Sequence, residues 1–192
     1  MLQYPAIEKK RKGEMEQAEL RRQMIEKRKT VTSGENELAG ERVAQQVFTL
    51  SEVLQAKTVM VYLPVRGELN TYPLIRALRQ VGKTVVYPVT VGESMVAALP
   101  ENERFITGNF GVPVPEKYVV CEKPDVVIVP LTVADSRRFR VGYGKGYYDK
   151  FLAQTGAFSV GVCHHFQIVE KVKENPWEKP LNVLVSECAI LR

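Results

Sequence analysis

From residue 140 to residue 149 the chain reads Arg-Val-Gly-Tyr-Gly-Lys-Gly-Tyr-Tyr-Asp, the stretch whose residue types and spacing point most directly to chemistry. Gly142, Gly144 and Gly146 alternate, so successive backbone N–H groups can converge with no Cβ in the way, and a helix is expected from about Gly146 to Gln154. Converging amides beside a helix N-terminus form a phosphate site. Arg140 and Lys145 add the charge a triphosphate needs, one as a planar fork and the other as a point charge. The pattern is not a Walker loop, since no Gly-Lys-Ser/Thr follows, and its glycine spacing differs from a dinucleotide fingerprint. Three glycines alone describe a flexible turn; two cations, three tyrosines and a carboxylate in the same segment favour a binding loop. Tyr143, Tyr147 and Tyr148 can stack on a planar heterocycle or pack inward. Asp149 falls in the first helical turn, where a carboxylate is favourable in any case. It could equally hold a magnesium ion bridging phosphates.

Glu68 is the second candidate, in a polar loop that follows one apolar run and precedes a helix. An exposed loop acid is the commoner case, but a carboxylate there can also recognise the donor-rich edge of a ring. His164 and His165 are adjacent near the end of a strand, point to opposite faces and form no ligand pair. Trp177 reads as packing. No Ser/His/Asp or Cys/His constellation stands out.

The elements that must position these residues alternate between two periods. Residues 14–29 are rich in helix formers. Thr32 or Ser33 then caps a second helix whose buried stripe is Ala39, Val43, Val47 and Leu50. Lys57–Leu63 reads as a strand covered on both faces and Lys83–Val89 as a second strand, with a helix over Tyr72–Val81 between them that carries Pro73 in its first turn and stops at Gly82. Residues 90–124 hold several Pro and Gly and suggest short strands and a surface loop. Asp125–Leu131 is the clearest buried strand, Phe158–Cys163 another. A short helix near 167–171 and a last strand over 182–191 close the chain. The expected architecture is α/β, a layered, largely parallel and possibly mixed sheet flanked by helices, with an N-terminal helical pair. Ligands in such sheets gather at the carboxyl ends of the strands. That rule selects the loop after Leu63, with Glu68, and the loop after Leu131, with the glycines.

Composition sets the outer bounds. The chain has 192 residues, 45% hydrophobic and 26% charged, enough for one domain with its own core. Residues 1–13 read as a basic extension and 14–192 as a single domain. Cys121, Cys163 and Cys188 are widely spaced and read as buried free thiols, which implies a reducing, cytoplasmic setting. The longest apolar stretch, 126–133, is too short to cross a membrane. Of the formal charge of +5, residues 1–30 carry +4, from nine cations against five acids. Such a run is ordinarily a solvated helix face with Glu/Lys/Arg pairs.

Taken together these features resemble the 5-formyltetrahydrofolate cyclo-ligase family. The match is carried by Arg-x-Gly-x-Gly-x-Gly-Tyr-Tyr-Asp at 140–149 and the Lys150-Phe-Leu that continues it. Supporting segments, in order, are Leu20-Arg21, Leu63…Gly67-Glu68…Thr71, Gly111-Val-Pro-Val-Pro115, Pro130-Leu131, Gly161-Val-Cys-His-His-Phe-Gln167 and Pro180-Leu181…Ser186-Glu187. The resemblance implies conversion of 5-formyltetrahydrofolate to 5,10-methenyltetrahydrofolate with ATP and Mg2+, releasing ADP and phosphate, by a monomeric enzyme that acts on a reduced folate and needs neither membrane nor nucleic acid.

It also implies roles. Arg21, Arg140, Val141, Gly142, Tyr143, Gly144, Lys145, Gly146, Tyr147 and Tyr148 would bind ATP, with Lys145 and Arg140 as catalytic cations. Leu63, Glu68 and residues 143–147 would contact the folate, and Asp149 and Glu178 the metal. Three departures stand out. Gln17 replaces a lysine four residues before Arg21, the approach Ala134–Phe139 lacks the usual glycine-containing turn, and Asn182 replaces an acid in the tail. Two other readings remain: an ATP-binding paralogue on the same scaffold that acts on another folate or heterocycle, and a nucleic-acid-binding module using the basic N-terminus.

Overall fold

The computed structural model describes residues 4–174 and 178–192, with side chains from residue 16 onward; Trp177 lies outside the described residues. The first helix, α1 (Tyr4–Arg28), runs through Gly13 and ends on Lys27 and Arg28, cations suited to the negative end of the helix. α2 (Ser33–Val47) opens with a capping box. The Thr32 side chain accepts from the Glu35 amide at 3.3 Å and the Thr32 amide donates to the Glu35 carboxylate at 2.8 Å. α2 buries Ala39, Val43 and Val47 as its spacing predicts, and Leu50 is buried just beyond its end.

A short helix, α3 (Ser51–Gln55), leads to β1 (Thr58–Met60). α4 (Tyr72–Gln80) carries Pro73 in its first turn and ends in a Schellman arrangement, with Gly82 at φ +76°, its amide on the Arg79 carbonyl and the Lys83 amide on that of Leu78. β2 (Thr84–Val91) turns at Gly92 into β3 (Ser94–Pro100). β4 (Phe105–Thr107) and β5 (Pro113–Pro115) pair with each other, and β6 (Tyr118–Cys121) joins β3. Then come β7 (Val126–Pro130), β8 (Val133–Asp135), β9 (Arg140–Val141), α5 (Tyr147–Thr155) and β10 (Phe158–Val162). β11 (Ile168–Val169), β12 (Val183–Val185) and β13 (Ile190–Leu191) finish the chain.

Eight strands form the main sheet in the order β13-β12-β10-β7-β1-β2-β3-β6. The five from β12 to β2 are parallel, while β13, β3 and β6 are antiparallel edges. Neighbouring residues in a strand face opposite layers, and the two cores divide accordingly. Val59, Val85, Val126, Ile128, Val160 and Val183 meet α2 and α4 on one face. Met60, Val86, Val127, Val129 and Leu184 meet Phe151 of α5 on the other. A strand so covered must be apolar at every position, and all four of Val126 to Val129 are fully buried. The expected α/β sheet, largely parallel with antiparallel edges, is present.

The two N-terminal helices lean on different layers. α2 packs on α4, whereas Leu20 and Met24 of α1 pack on a second, three-stranded sheet, β11-β8-β9, together with Val133, Val141 and Val172.

Segment 90–124 holds the short strands expected of it, and two of them, β3 and β6, join the main sheet. Several other local expectations are corrected. The helix expected near 167–171 is a 3-10 turn over His165–Gln167 followed by β11; the β-branched Ile168-Val169 pair adds a strand beside β8. The strand expected over 182–191 is two strands reversed at Ser186, whose hydroxyl accepts from the Cys188 and Ala189 amides. Cys188 sits on that reversal and is exposed, not buried; Cys121 is half-buried and Cys163 buried, and all three are free thiols.

Candidate functional site

Because β1, β7 and β10 are parallel, the segments that leave their carboxyl ends lie along one edge of the sheet. The chain leaving β1 passes Leu63, which is buried in the core beneath the loop, and reaches Glu68. α2 ties this loop down. The Asn36 side chain donates to the Glu68 carbonyl at 3.0 Å and accepts from the Asn70 amide at 2.9 Å. Gly40 makes the approach possible, because a Cβ there would stand 2.3 Å from the Asn70 carbonyl oxygen. Tyr62 completes the anchor, its carbonyl accepting from the Thr71 hydroxyl at 2.7 Å and its own hydroxyl donating to the Leu69 carbonyl at 3.2 Å. Glu68 is therefore held rigidly and is only 5% exposed. Burial raises its pKa; the Val65 amide, which donates to its carboxylate at 3.0 Å, and the nearby Arg28, Tyr143 and Arg66 oppose that rise.

The chain leaving β7 makes the β8–β9 hairpin before it reaches the glycines. A strand abuts the loop directly: β9 contains its first two residues, Arg140 and Val141. The unusual approach at 134–139 is a turn built on the fully buried carboxylate of Asp135. It accepts from the Arg137, Phe139 and Val172 amides and from the Arg137 guanidinium at 2.7 Å. Arg137 also pairs with Glu174 at 2.7 Å, and Arg138 takes φ +70°. The missing glycine is thus replaced by a carboxylate-centred turn and one strained arginine.

Beyond β9, Gly144 and Gly146 adopt φ of +89° and +69°, the left-handed region that favours glycine. Gly146 is the N-cap of α5, with Asp149 in the first turn. Arg21 reaches across from α1 and donates its Nε to the Gly142 carbonyl at 2.8 Å. The loop is held from behind by its carbonyl, while Gly144 and Lys145 are exposed. The guanidinium of Arg140 pairs with Asp149 at 2.7 Å, bridging the base of the loop to α5.

The two loops meet at Tyr143. Arg28 donates from Nη1 to the Tyr143 hydroxyl at 3.0 Å, and the Arg66 guanidinium lies 5.8 Å from the centre of the Tyr143 ring. Arg66, at φ +53°, donates to the Phe110 carbonyl at 2.9 Å; Phe110 lies 6.3 Å from Tyr147, whose hydroxyl donates to the Gly92 carbonyl at 3.2 Å. Tyr148 is half-buried and packs on the α5 side of the sheet, and burial and the Glu68 charge push its hydroxyl pKa up. The rim therefore joins residues 65–68, 92–93, 109–111 and 140–148. Concavities of about 370 Å³ and 440 Å³ lie elsewhere on the surface, and neither is lined by Glu68 or any residue of 140–149.

Arg28, Arg66, Phe110 and Asp135 were not singled out from the sequence. Arg28 sits in a run of cations that reads as a solvated face, and no local signal separates it from Lys27 or Lys29. Among the described residues no group of three His, Cys, Asp or Glu side chains could hold a metal. Glu178 is half-buried in the tail. His164 is buried and stacks on Phe166, and burial lowers its pKa; His165 contacts Ser186. The other departures have structural partners. Gln17 donates to the Lys173 carbonyl and so ties α1 to the tail, and Asn182 accepts from the Ser159 amide and hydroxyl, joining β12 to β10.

The chain is similar to known proteins over most of its length. The family described as 5-formyltetrahydrofolate cyclo-ligase matches residues 13–187. The 5-formyltetrahydrofolate cyclo-ligase of Escherichia coli strain K12 is 30% identical over 172 residues, covering 84% of this chain and 94% of that one. The Haemophilus influenzae protein of the same name is 28% identical, covering 85% and 93%. Among solved structures, Aquifex aeolicus 5,10-methenyltetrahydrofolate synthetase superposes with a TM-score of 0.81 at 29% identity, covering 92% of each chain.

Proposed function

Since the chain belongs to the 5-formyltetrahydrofolate cyclo-ligase family, we propose that it converts 5-formyltetrahydrofolate to 5,10-methenyltetrahydrofolate at the expense of ATP, at the cleft between residues 140–148 and Glu68. The observation that carries the assignment to this cleft is the meeting of the glycine loop and the buried Glu68 carboxylate at Tyr143, on the carboxyl edge of the parallel strands.

The formamide oxygen of the substrate is a poor leaving group. Transfer of the γ-phosphoryl group of ATP to that oxygen gives ADP and an activated imidate-like carbon. N10 then attacks this carbon, closes the ring and expels phosphate. No protein nucleophile is required; positioning and charge neutralisation carry such a transfer. The amides of 142–146 and the N-terminus of α5 receive the phosphates, with Lys145 and Arg140 as the cations that offset developing charge and Arg21 steadying the loop through Gly142. Val141 contributes backbone only, since its side chain is buried.

Mg2+ commonly takes one or two carboxylates plus phosphate oxygens and waters. Asp149, exposed beside the loop, fits that mode, as does a metal that arrives with the nucleotide; Glu178 is the second carboxylate in this reading. When bound, the ion would neutralise phosphate charge. Asp149 is held ready by Arg140, which would be freed to face the phosphates.

On the folate side, Glu68 accepts hydrogen bonds from the N–H edge of the pterin, Tyr143 and Tyr147 offer ring faces, and Leu63 backs the loop from the core. We further propose a monomer that works in the reducing cytoplasm. Its free thiols support that setting, and among the described residues no helix is long and apolar enough to cross a membrane.

The test is coupling. ADP release should require 5-formyltetrahydrofolate and match its consumption one for one; ADP release at the same rate without folate contradicts the reading.

A further inference from the structure

Arg28 is 1% exposed, among the largest fully buried side chains of the described chain. Burying a guanidinium is unfavourable unless its donors are used. Two groups receive donors from its Nη atoms, the Tyr143 hydroxyl at 3.0 Å from Nη1 and the Leu131 carbonyl just beyond β7, to which Nη2 donates, while Nε is buried without a partner. The Leu131 carbonyl also receives the Gln167 side chain at 3.1 Å, so it has a donor without Arg28. Tyr143 is the partner that Arg28 specifically serves.

A guanidinium has donors only, and a phenol has one proton. The Tyr143 hydroxyl must therefore accept from Arg28, which leaves its own proton to be given elsewhere. Glu68 is the charged group nearby: its charge raises the Tyr143 pKa, while the charge of Arg28 lowers that of both. Arg28 also braces the Glu68 loop from below. Gly67, at φ +69°, passes so close that a Cβ there would lie 3.2 Å from that of Arg28.

We propose that Arg28 is a positioning residue for the reaction. Its guanidinium holds the Tyr143 hydroxyl while its stem packs under Gly67, and so it sets the glycine loop and the loop of the folate-receiving carboxylate in one register. The inference rests on the functional reading above, because it takes Glu68 and Tyr143 as the folate wall. Arg28 touches neither substrate in this arrangement. Its effect is transmitted through Tyr143, and on folate more than on nucleotide.

A double-mutant cycle reads this directly. Arg28→Lys keeps the charge but loses the fork, and Tyr143→Phe removes the hydroxyl. Each alone should raise KM for 5-formyltetrahydrofolate about tenfold, as expected for one hydrogen bond to a charged group. KM for ATP should move less than about twofold. The double variant should be no worse than either single one, because both break the same link. A role confined to stability gives multiplying effects, about a hundredfold for the pair, and overturns the proposal.

If Arg28→Lys does not fold, Arg28→Gln, which keeps amide donors but not the fork, replaces it in the cycle with Tyr143→Phe, again with coupling expected and multiplication contradictory. The two levels of failure are distinct. An unmodified protein that makes no methenyl product sinks the functional reading and this inference with it. An active parent whose variants multiply sinks this inference alone.

Discussion

Glu68 is a carboxylate placed where ionisation is disfavoured, and that placement has consequences measurable without substrate. Its folded-state pKa lies above its unfolded value, so between the two the folded protein binds the proton more tightly. Stability contributed by this group is accordingly full at acid pH and declines as pH rises through that window. Glu68→Gln removes the decline. The variant should melt at a higher temperature than the parent above the window, and the two curves should converge below it. The same variant should raise KM for the folate about tenfold, because a charged acceptor has been lost. A Glu68→Gln protein with parental KM would remove Glu68 from the folate wall.

Lys145 makes the complementary case. It is exposed, so Lys145→Ala should leave the melting curve unchanged while lowering kcat/KM for ATP roughly a hundredfold, the scale of losing one preorganised charge partner. At this scale the sequence was informative about types and poor about partners. The glycines, Lys145 and Glu68 could be read from spacing and residue chemistry. The burial of Arg28 depends on where α1 lies across the sheet edge, which no local pattern encodes.

At the scale of elements, the site depends on two devices that hold loops against the sheet. The first is the contact of α2 with the Glu68 loop at Gly40, where any side chain would strike the Asn70 carbonyl. Gly40→Ala should destabilise by about 1–3 kcal/mol and impair folate binding more than nucleotide binding, as thermal melts and paired titrations would show. The second is Asp135, whose carboxylate organises the turn into β9. Asp135→Ala leaves a guanidinium and several amides short of their acceptor and should cost about 3 kcal/mol, with nucleotide binding the first function to fail. The elements that can be read from sequence include those with a strong single period, α2, α4 and β7, and the apolar runs of β1, β2 and β10. Within 90–124 the sequence suggests short strands but not that β3 and β6 join the main sheet, and it reveals neither β11 nor the β8–β9 hairpin, because a two-residue strand or an edge strand of alanines carries too little periodicity. Their pairing is decided by the neighbour they meet. The turn at 134–139 was flagged as different from sequence, but its solution, a buried aspartate in place of glycine, required the fold.

For the whole molecule, the mixed sheet brings to one edge loops that lie far apart in the chain, from α1, the β1–α4 connection, the β2–β3 turn and the glycine segment. Rigid parallel strands with short edges suit a reaction that depends on holding two ligands in line. The basic N-terminal segment is peripheral to this account, since the family match begins at residue 13. A chain lacking residues 1–12 should keep kcat and both KM values within about twofold, as an appended terminus tolerates removal. Salt-sensitive polyanion binding lost on the same truncation would instead support the nucleic-acid reading. The central claim is that one cleft joins ATP to a reduced folate. The most direct measurement mixes the protein with 5-formyltetrahydrofolate and Mg-ATP and follows the absorbance of methenyltetrahydrofolate. The account predicts product only when folate, nucleotide and protein are all present, and lost in Glu68→Gln and Lys145→Ala at subsaturating substrate. Absence of product from the unmodified protein across magnesium concentration and pH would contradict it.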